Sequence, residues 1–241
     1  MVLSETAEQL RDAIKAEAHW QVVIHPTSFK QDRIPTLKDL WKSMEECSVH
    51  LRGWDYPHVY QENRGNGSDW ISGWCNSADN REYWKLFQSG QFAHVFAFNE
   101  DSRPEALKFA LQKVRDLPPG ANPSGVIDVV ELLFKTTEIF EFSARLAQKL
   151  KLDSPISLKI GLVGIGGRLL TKERALFWKS PYLASQPYLE YSREIPLDAL
   201  IGDTSNLAIE CATWVFERFG WFDPPIAQLK SDQHRLLTRT F

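Results

Sequence analysis

The run Phe92-Ala93-His94-Val95-Phe96-Ala97-Phe98 constrains the fold more than any other part of this chain. Phe92, His94, Phe96 and Phe98 share one face of an extended segment, and Ala93, Val95 and Ala97 share the other. Neither face carries a carboxylate, lysine or arginine, so the segment suits a central strand covered on both sides. It closes an aromatic-dense stretch that begins at Leu51 and includes Trp54, Tyr56, Trp70, Trp74 and Trp84. Arg52, Asp55, His58, Glu82, Gln88 and His94 are interleaved with these rings. Flat side chains beside a few polar groups build either a ligand pocket or a stiff core.

Upstream, Ser4 can cap a short helix with Leu10, Ile14 and Ala18 about one turn apart, ending near His19. Trp20–Ile24 reads as a strand stopped by Pro26, and Thr36 caps a helix through Leu37, Leu40, Trp41 and Met44. Val49–Leu51 and Val59–Tyr60 read as strands around the breakers Gly53 and Pro57. Arg64-Gly65-Asn66-Gly67-Ser68 is a turn between two antiparallel strands, because Asn-Gly favours positive φ. Asp79 or Asn80 is expected to cap a helix to Ser89, with Gly90 as its left-handed terminator. A further helix is expected from Pro104 to Asp116.

Three prolines and two glycines in residues 117–125 mark a linker between an aromatic-rich half, 1–116, and a second half, 126–241. The halves can still pack as one compact domain. The second half opens with the longest expected helix, Val126 to Leu150, whose apolar positions span a wide arc. Glu131/Lys135 and Glu141/Arg145 are expected ion pairs along it. Strands at Ile156–Leu162 and Leu189–Ile195 follow, then a helix from Asp203 or Thr204 to Phe219 and a last one from Pro224 or Pro225 to Leu237. The expected fold class is α+β, with mixed, mainly antiparallel sheet packed with several helices and one long core helix in the second half.

A formal charge of −3 over 241 residues argues against a broad electropositive face, although a local basic groove remains open to the chain. No segment approaches the roughly 18 apolar residues of a membrane span, and the charged N-terminal stretch does not read as a secretory signal. Cys47, Cys75 and Cys211 are odd in number and widely spaced, which fits a reducing compartment. A cytoplasmic protein without membrane association is expected, and the sequence calls for no cofactor.

Gly161-Leu162-Val163-Gly164-Ile165-Gly166-Gly167 invites a nucleotide-binding reading, but no helix opens after it and no Walker lysine follows. A glycine-containing hairpin returning through Arg168-Leu169-Leu170 fits better, with Arg168 placed to meet an anion. Cys47, His50, His58 and Cys75 include a Cys-x-x-His, but their second pair lacks the tight spacing of a structural zinc site. Arg52 and Asp55 can pair, with Trp54 and Tyr56 packed beside them. Alternatively Trp54, Tyr56 and Trp84 offer a stacking surface, with Arg52, Asp55, His58, Gln88, Gln91 and His94 as polar contacts.

Trp20–Pro26, Leu51-Arg52-Gly53-Trp54-Asp55-Tyr56-Pro57-His58 and Phe87-Gln88-Ser89-Gly90-Gln91-Phe92-Ala93-His94 together resemble a poorly characterised prokaryotic module. That module is associated with proteins carrying a Schlafen-type ATP/RNA-related domain, for which this chain has no room. Thr137–Phe142 and Phe219-Gly220-Trp221 extend the resemblance, which transfers no catalytic motif. It implies a nucleic-acid-related or defence-type setting. The expected function is therefore non-catalytic binding or sensing of a protein, small-molecule or nucleotide ligand. Two alternatives stand beside it: a metal-dependent hydrolase acting on nucleic acid or nucleotides through Asp55, His58 and Glu62, and a structural subunit that homo-oligomerises through its apolar helices.

Overall fold

The computed structural model describes residues 6–103, 105–114, 116–172 and 181–240. Ser4 and Pro104, expected at two helix starts, lie outside them. The first helix, α1 (Ala7–Ala16), is closed instead by Thr6, whose side chain accepts from the Gln9 amide while the Gln9 side chain accepts from the Thr6 amide. There follow β1 (His19–Pro26), α2 (Leu37–Cys47), β2 (Val49–His50), β3 (Asp55–Tyr56) and β4 (Arg64–Asn66). Next come β5 (Trp70–Asn76), β6 (Arg81–Phe87), β7 (Phe92–Ala97), a short 3₁₀ turn (Asn99–Ser102) and α3 (Glu105–Lys113). The second half holds β8 (Gly125–Asp128), α4 (Val129–Lys149), β9 (Ile156–Val163), β10 (Arg168–Thr171), β11 (Tyr182–Leu183) and β12 (Tyr188–Ile195). It ends with α5 (Leu197–Gly202), α6 (Thr204–Arg218) and α7 (Ile226–Thr238).

Seven strands form one antiparallel sheet in the order β12-β9-β1-β7-β6-β5-β4, which puts β7 at the centre as its uncharged faces require. Strands from both halves of the chain share this sheet. Its inner face, carrying Phe92, His94, Phe96, Trp84 and Leu86, packs towards α4, where Phe142 meets Phe92 at 4.8 Å between ring centres. Helix α4 is buried on nearly every side, against α2, α5, α6 and α7. The apolar surfaces of α4 and α6 are thus taken up against each other within the chain. A smaller sheet, β11-β10-β8, pairs β10 and β8 in parallel, and β2 pairs with β3. Among the described residues no helix is long and apolar enough to cross a membrane.

Several expectations are corrected. Arg81–Phe87 is a strand rather than a helix, and Gly90, at φ +88°, turns it into β7. Val59–Tyr60 is not a strand; the partner of β2 is Asp55–Tyr56. Asn66 sits inside β4, and neither it nor Gly67 has positive φ. Val126 and Ile127 belong to β8, and α4 starts three residues after Val126, where the Asp128 carboxylate accepts from the Val130 and Glu131 amides. The glycine segment is no hairpin: β10 leaves the large sheet and pairs with β8 and β11.

The junction of α4 and the sheet generates the first test. Phe142 is fully buried against Tyr56 and Phe92. Phe142→Ala is expected to cost about 3–5 kcal/mol in urea unfolding, and a loss under about 1 kcal/mol would contradict this packing.

Candidate functional site

Between β2 and β3 the chain turns through Leu51–Trp54, with Gly53 at φ +85°, where a side chain would strain the backbone. The turn lays Arg52 against α4 rather than against Asp55. Its Nε and Nη2 donate to the two oxygens of Glu138 at 2.8 and 2.9 Å, and Nη1 donates to both oxygens of Glu131 at 2.8 and 2.7 Å. The Arg52 side chain is 5% exposed and Glu138 is wholly buried, so the pairing is made in a low-dielectric interior. Burial opposes the Arg52 charge, but Glu138 and Glu131 outweigh it and make the guanidinium harder to deprotonate. Burial also opposes the charge of Glu131, yet Arg52 holds its carboxyl below the ordinary value. The Glu131/Lys135 pair expected from spacing is replaced by this arrangement: Lys135 Nζ lies 3.8 Å from Glu138, and its burial makes it a weaker base. Glu141 and Arg145 do pair, at 3.8 Å.

A second buried group surrounds Glu82. It accepts from the His58 amide at 2.7 Å, and its other oxygen lies 3.1 Å from His58 Nδ1 and 3.6 Å from His94 Nε2. Burial works against the Glu82 charge, but the two imidazoles hold its carboxyl well below the usual range. His58 is made more basic by Glu82 against the pull of burial, while burial dominates at His94 and makes it less basic. Trp84 Nε1 donates to the His58 carbonyl at 2.8 Å, and His94 Nδ1 lies 3.3 Å from the Tyr56 hydroxyl.

The expected stacking surface is therefore internal. Tyr56, Trp84 and His94 are buried, and Trp54 is partly covered with the Arg52 guanidinium 4.8 Å from its ring centre. Asp55 pairs with His50. Gln88 is buried, its amide donating to the Ile34 carbonyl, while Gln91 is exposed in the β6–β7 turn. Arg168 binds Asp101 and the Val126 carbonyl and lies over the Phe98 ring, so it faces protein rather than a free anion. Asp55 and His58 have separate partners and Glu62 is exposed, so that trio is not assembled. Cys47, His50, His58 and Cys75 do not gather either: among the described residues no three His, Cys, Asp or Glu side chains are placed to hold a metal ion.

Beyond Glu131 and Phe134, which both contact Arg52, opens a cavity of about 770 Å³, within the range that takes small ligands. Helix α3, strand β8, the first turns of α4, the end of β10 and α7 line it. Phe109, Phe134, Val126 and Val130 supply apolar surface; Glu100, Asp128, Glu131 and Asp232 supply carboxylates; Arg103, Lys172 and Arg235 supply cations. Glu131 belongs both to the cavity and to the Arg52 pairing. Asp232 is 8% exposed; its Oδ1 accepts from Gln228 at 2.9 Å, and its Oδ2 has no hydrogen bond, with Lys172 Nζ 3.6 Å away. Burial, reinforced by the charges of Glu131 and Asp128, pushes the Glu100 carboxyl up to about 7, although the Asp128 amide donates to it. Sequence reasoning missed this cavity. The signal was present in Asp128, an N-cap residue just before an apolar helical run, but α3 and α7 reach the site only through tertiary packing.

Two measurements follow. Arg52→Ala leaves Glu138 buried without its guanidinium, so unfolding free energy should fall by about 3–5 kcal/mol, and Arg52→Lys should not restore it because the two-carboxylate fork is lost. A loss within about 0.5 kcal/mol would show that the pairing is not buried as described. For Glu100, the folded protein keeps its proton to higher pH than the unfolded chain. Stability is therefore lost as pH rises from 4.5 through about 7. The melting temperature of Glu100→Gln, relative to that of the unmodified protein, should climb between these values and level off above them; a pH-independent difference would refute this assignment. Set against known families, curated proteins and solved structures, the chain matches none.

Proposed function

We propose that this is a non-catalytic binding or sensing protein whose ligand occupies the cavity between α3, β8, α4 and α7. The observation that carries the reading is Asp232 Oδ2, a buried carboxylate oxygen without a hydrogen bond in the wall of an open cavity. Lys172 Nζ at 3.6 Å offsets its charge without a hydrogen bond, and a buried acceptor is stabilised further when something donates to it. The ligand chemistry that fits is a flat or apolar body against Phe109 and Phe134, bearing an amine or another N–H donor directed at Asp232. The excess of carboxylates over cations in the lining favours the same polarity. What supports the setting implied by the motif resemblance is that Arg52 of the Leu51–His58 motif holds Glu131 and lies against Phe134, two residues that line the cavity.

A panel of nucleosides and aromatic amines, read by thermal shift and then calorimetry, tests the proposal. At least one compound should raise the melting temperature. Asp232→Asn should weaken that compound about 10-fold or more, as expected for loss of a charged hydrogen bond. Phe109→Ala, at a side chain already 48% exposed, should weaken it with little change in the unliganded protein. Absence of any shift, together with a native mass spectrum showing only the bare chain after gentle purification, would overturn the reading.

A further inference from the structure

The outer face of the large sheet carries a second feature, separate from the cavity. Helix α1 crosses β6 and β7 there, burying Leu10 and Ile14. Beside it runs a groove of about 240 Å³ floored by Val23, Ala93, Tyr83 and Phe87. Among the described residues that line it, Arg11, Lys15 and Lys85 carry charge and none is a carboxylate. In a chain with a formal charge of −3, this is a local reversal of sign.

The strand register extends the pattern. Lys159, Val23, Ala93 and Lys85 form one row across β9, β1, β7 and β6, with small floor residues between the two lysines. Beyond Lys159 the row reaches Ser192 on β12, where the exposed Glu190 and Glu194 bound the cationic stretch on the same face. Lys159 is exposed, and no carboxylate pairs with Lys15, Lys85 or Lys159 among the described residues; Arg11 pairs with the exposed Asp12. Lys85 Nζ stands 3.8 Å from the centre of the Trp70 ring, a cation held against an aromatic face. Tyr83, 4% exposed, brings a buried hydroxyl that has no hydrogen bond.

Cations interleaved with rings on an open sheet face match the chemistry of a charged strand bearing flat bases. We infer that this groove and the row leading to Lys159 bind single-stranded nucleic acid. Arg11, Lys15, Lys85 and Lys159 contact phosphates, and Phe87 offers its ring to a base. The inference uses none of the residues of the cavity, so either can fail without the other.

The test is fluorescence anisotropy with labelled oligouridylate and oligothymidylate of about 12 nucleotides, a length within the usual single-strand site size. Three or four phosphate contacts predict that binding weakens roughly 20- to 50-fold between about 50 and 200 mM salt. Lys15→Glu, Lys85→Glu and Lys159→Glu should each weaken binding, whereas Lys38→Glu on α2 should not. Phe87→Ala should weaken it at least about 5-fold, with circular dichroism confirming an unchanged fold. The two oligomers separate RNA from DNA as the source, and preference for either supports the inference. Three outcomes would overturn it: no binding at about 100 μM protein in low salt, affinity indifferent to the lysine reversals, or equal competition by heparin with no effect of Phe87→Ala.

Discussion

The Arg52 guanidinium, held between Glu131 and Glu138, is the interaction on which the arrangement of this protein depends. It fastens an irregular turn of the first half to the long helix of the second, and it does so inside the protein. Two carboxylates seven residues apart on α4 face the same way because two helical turns bring them back into line. Without a cation between them they would repel each other in a dry environment. With it, the Leu51–His58 segment has one position, Tyr56 is set against Phe142, and His58 is delivered to Glu82. A hydrophobic sheet and helix could pack in several ways; this buried charge selects one of them.

The periodic elements were legible in the sequence where their neighbours did not matter. The uncharged alternation of Phe92–Phe98 is realised at the centre of the sheet, and Thr36 caps α2 as its residue type suggests. The reading failed at Arg81–Phe87 for a specific reason. Glu82, Trp84 and Leu86 point inward, but an inward-facing glutamate hides a two-residue period, since it is two imidazoles and the His58 amide, contributed by other segments, that make it tolerable there. Val126 and Ile127 were absorbed into the helix because a buried strand and a buried helix are equally apolar over so few residues.

The site was less legible than the fold. Residue spacing suggested Glu131 with Lys135 and Arg52 with Asp55, both local pairings. Partners 79 and 86 residues away took Arg52 instead, because the low dielectric of the interior rewards a fork between two carboxylates over a solvated contact. The motif rings proved to be packing rather than a surface. Groups facing open space came from positions that sequence alone left unremarked: Asp128, Phe134, Lys85 and Asp232. Each is ordinary on its own element and becomes distinctive only beside residues from others.

Glu131 has a double membership, one oxygen pair on Arg52 and one side towards the cavity. Whatever pulls on that carboxylate from the open side must therefore change how firmly the Leu51–His58 turn is held. Thermodynamic reciprocity requires the converse: loosening the turn must alter affinity in the cavity by the same factor. A pair of opposite charges placed for packing thus also forms part of the cavity wall, and an occupant of the cavity would be coupled to it.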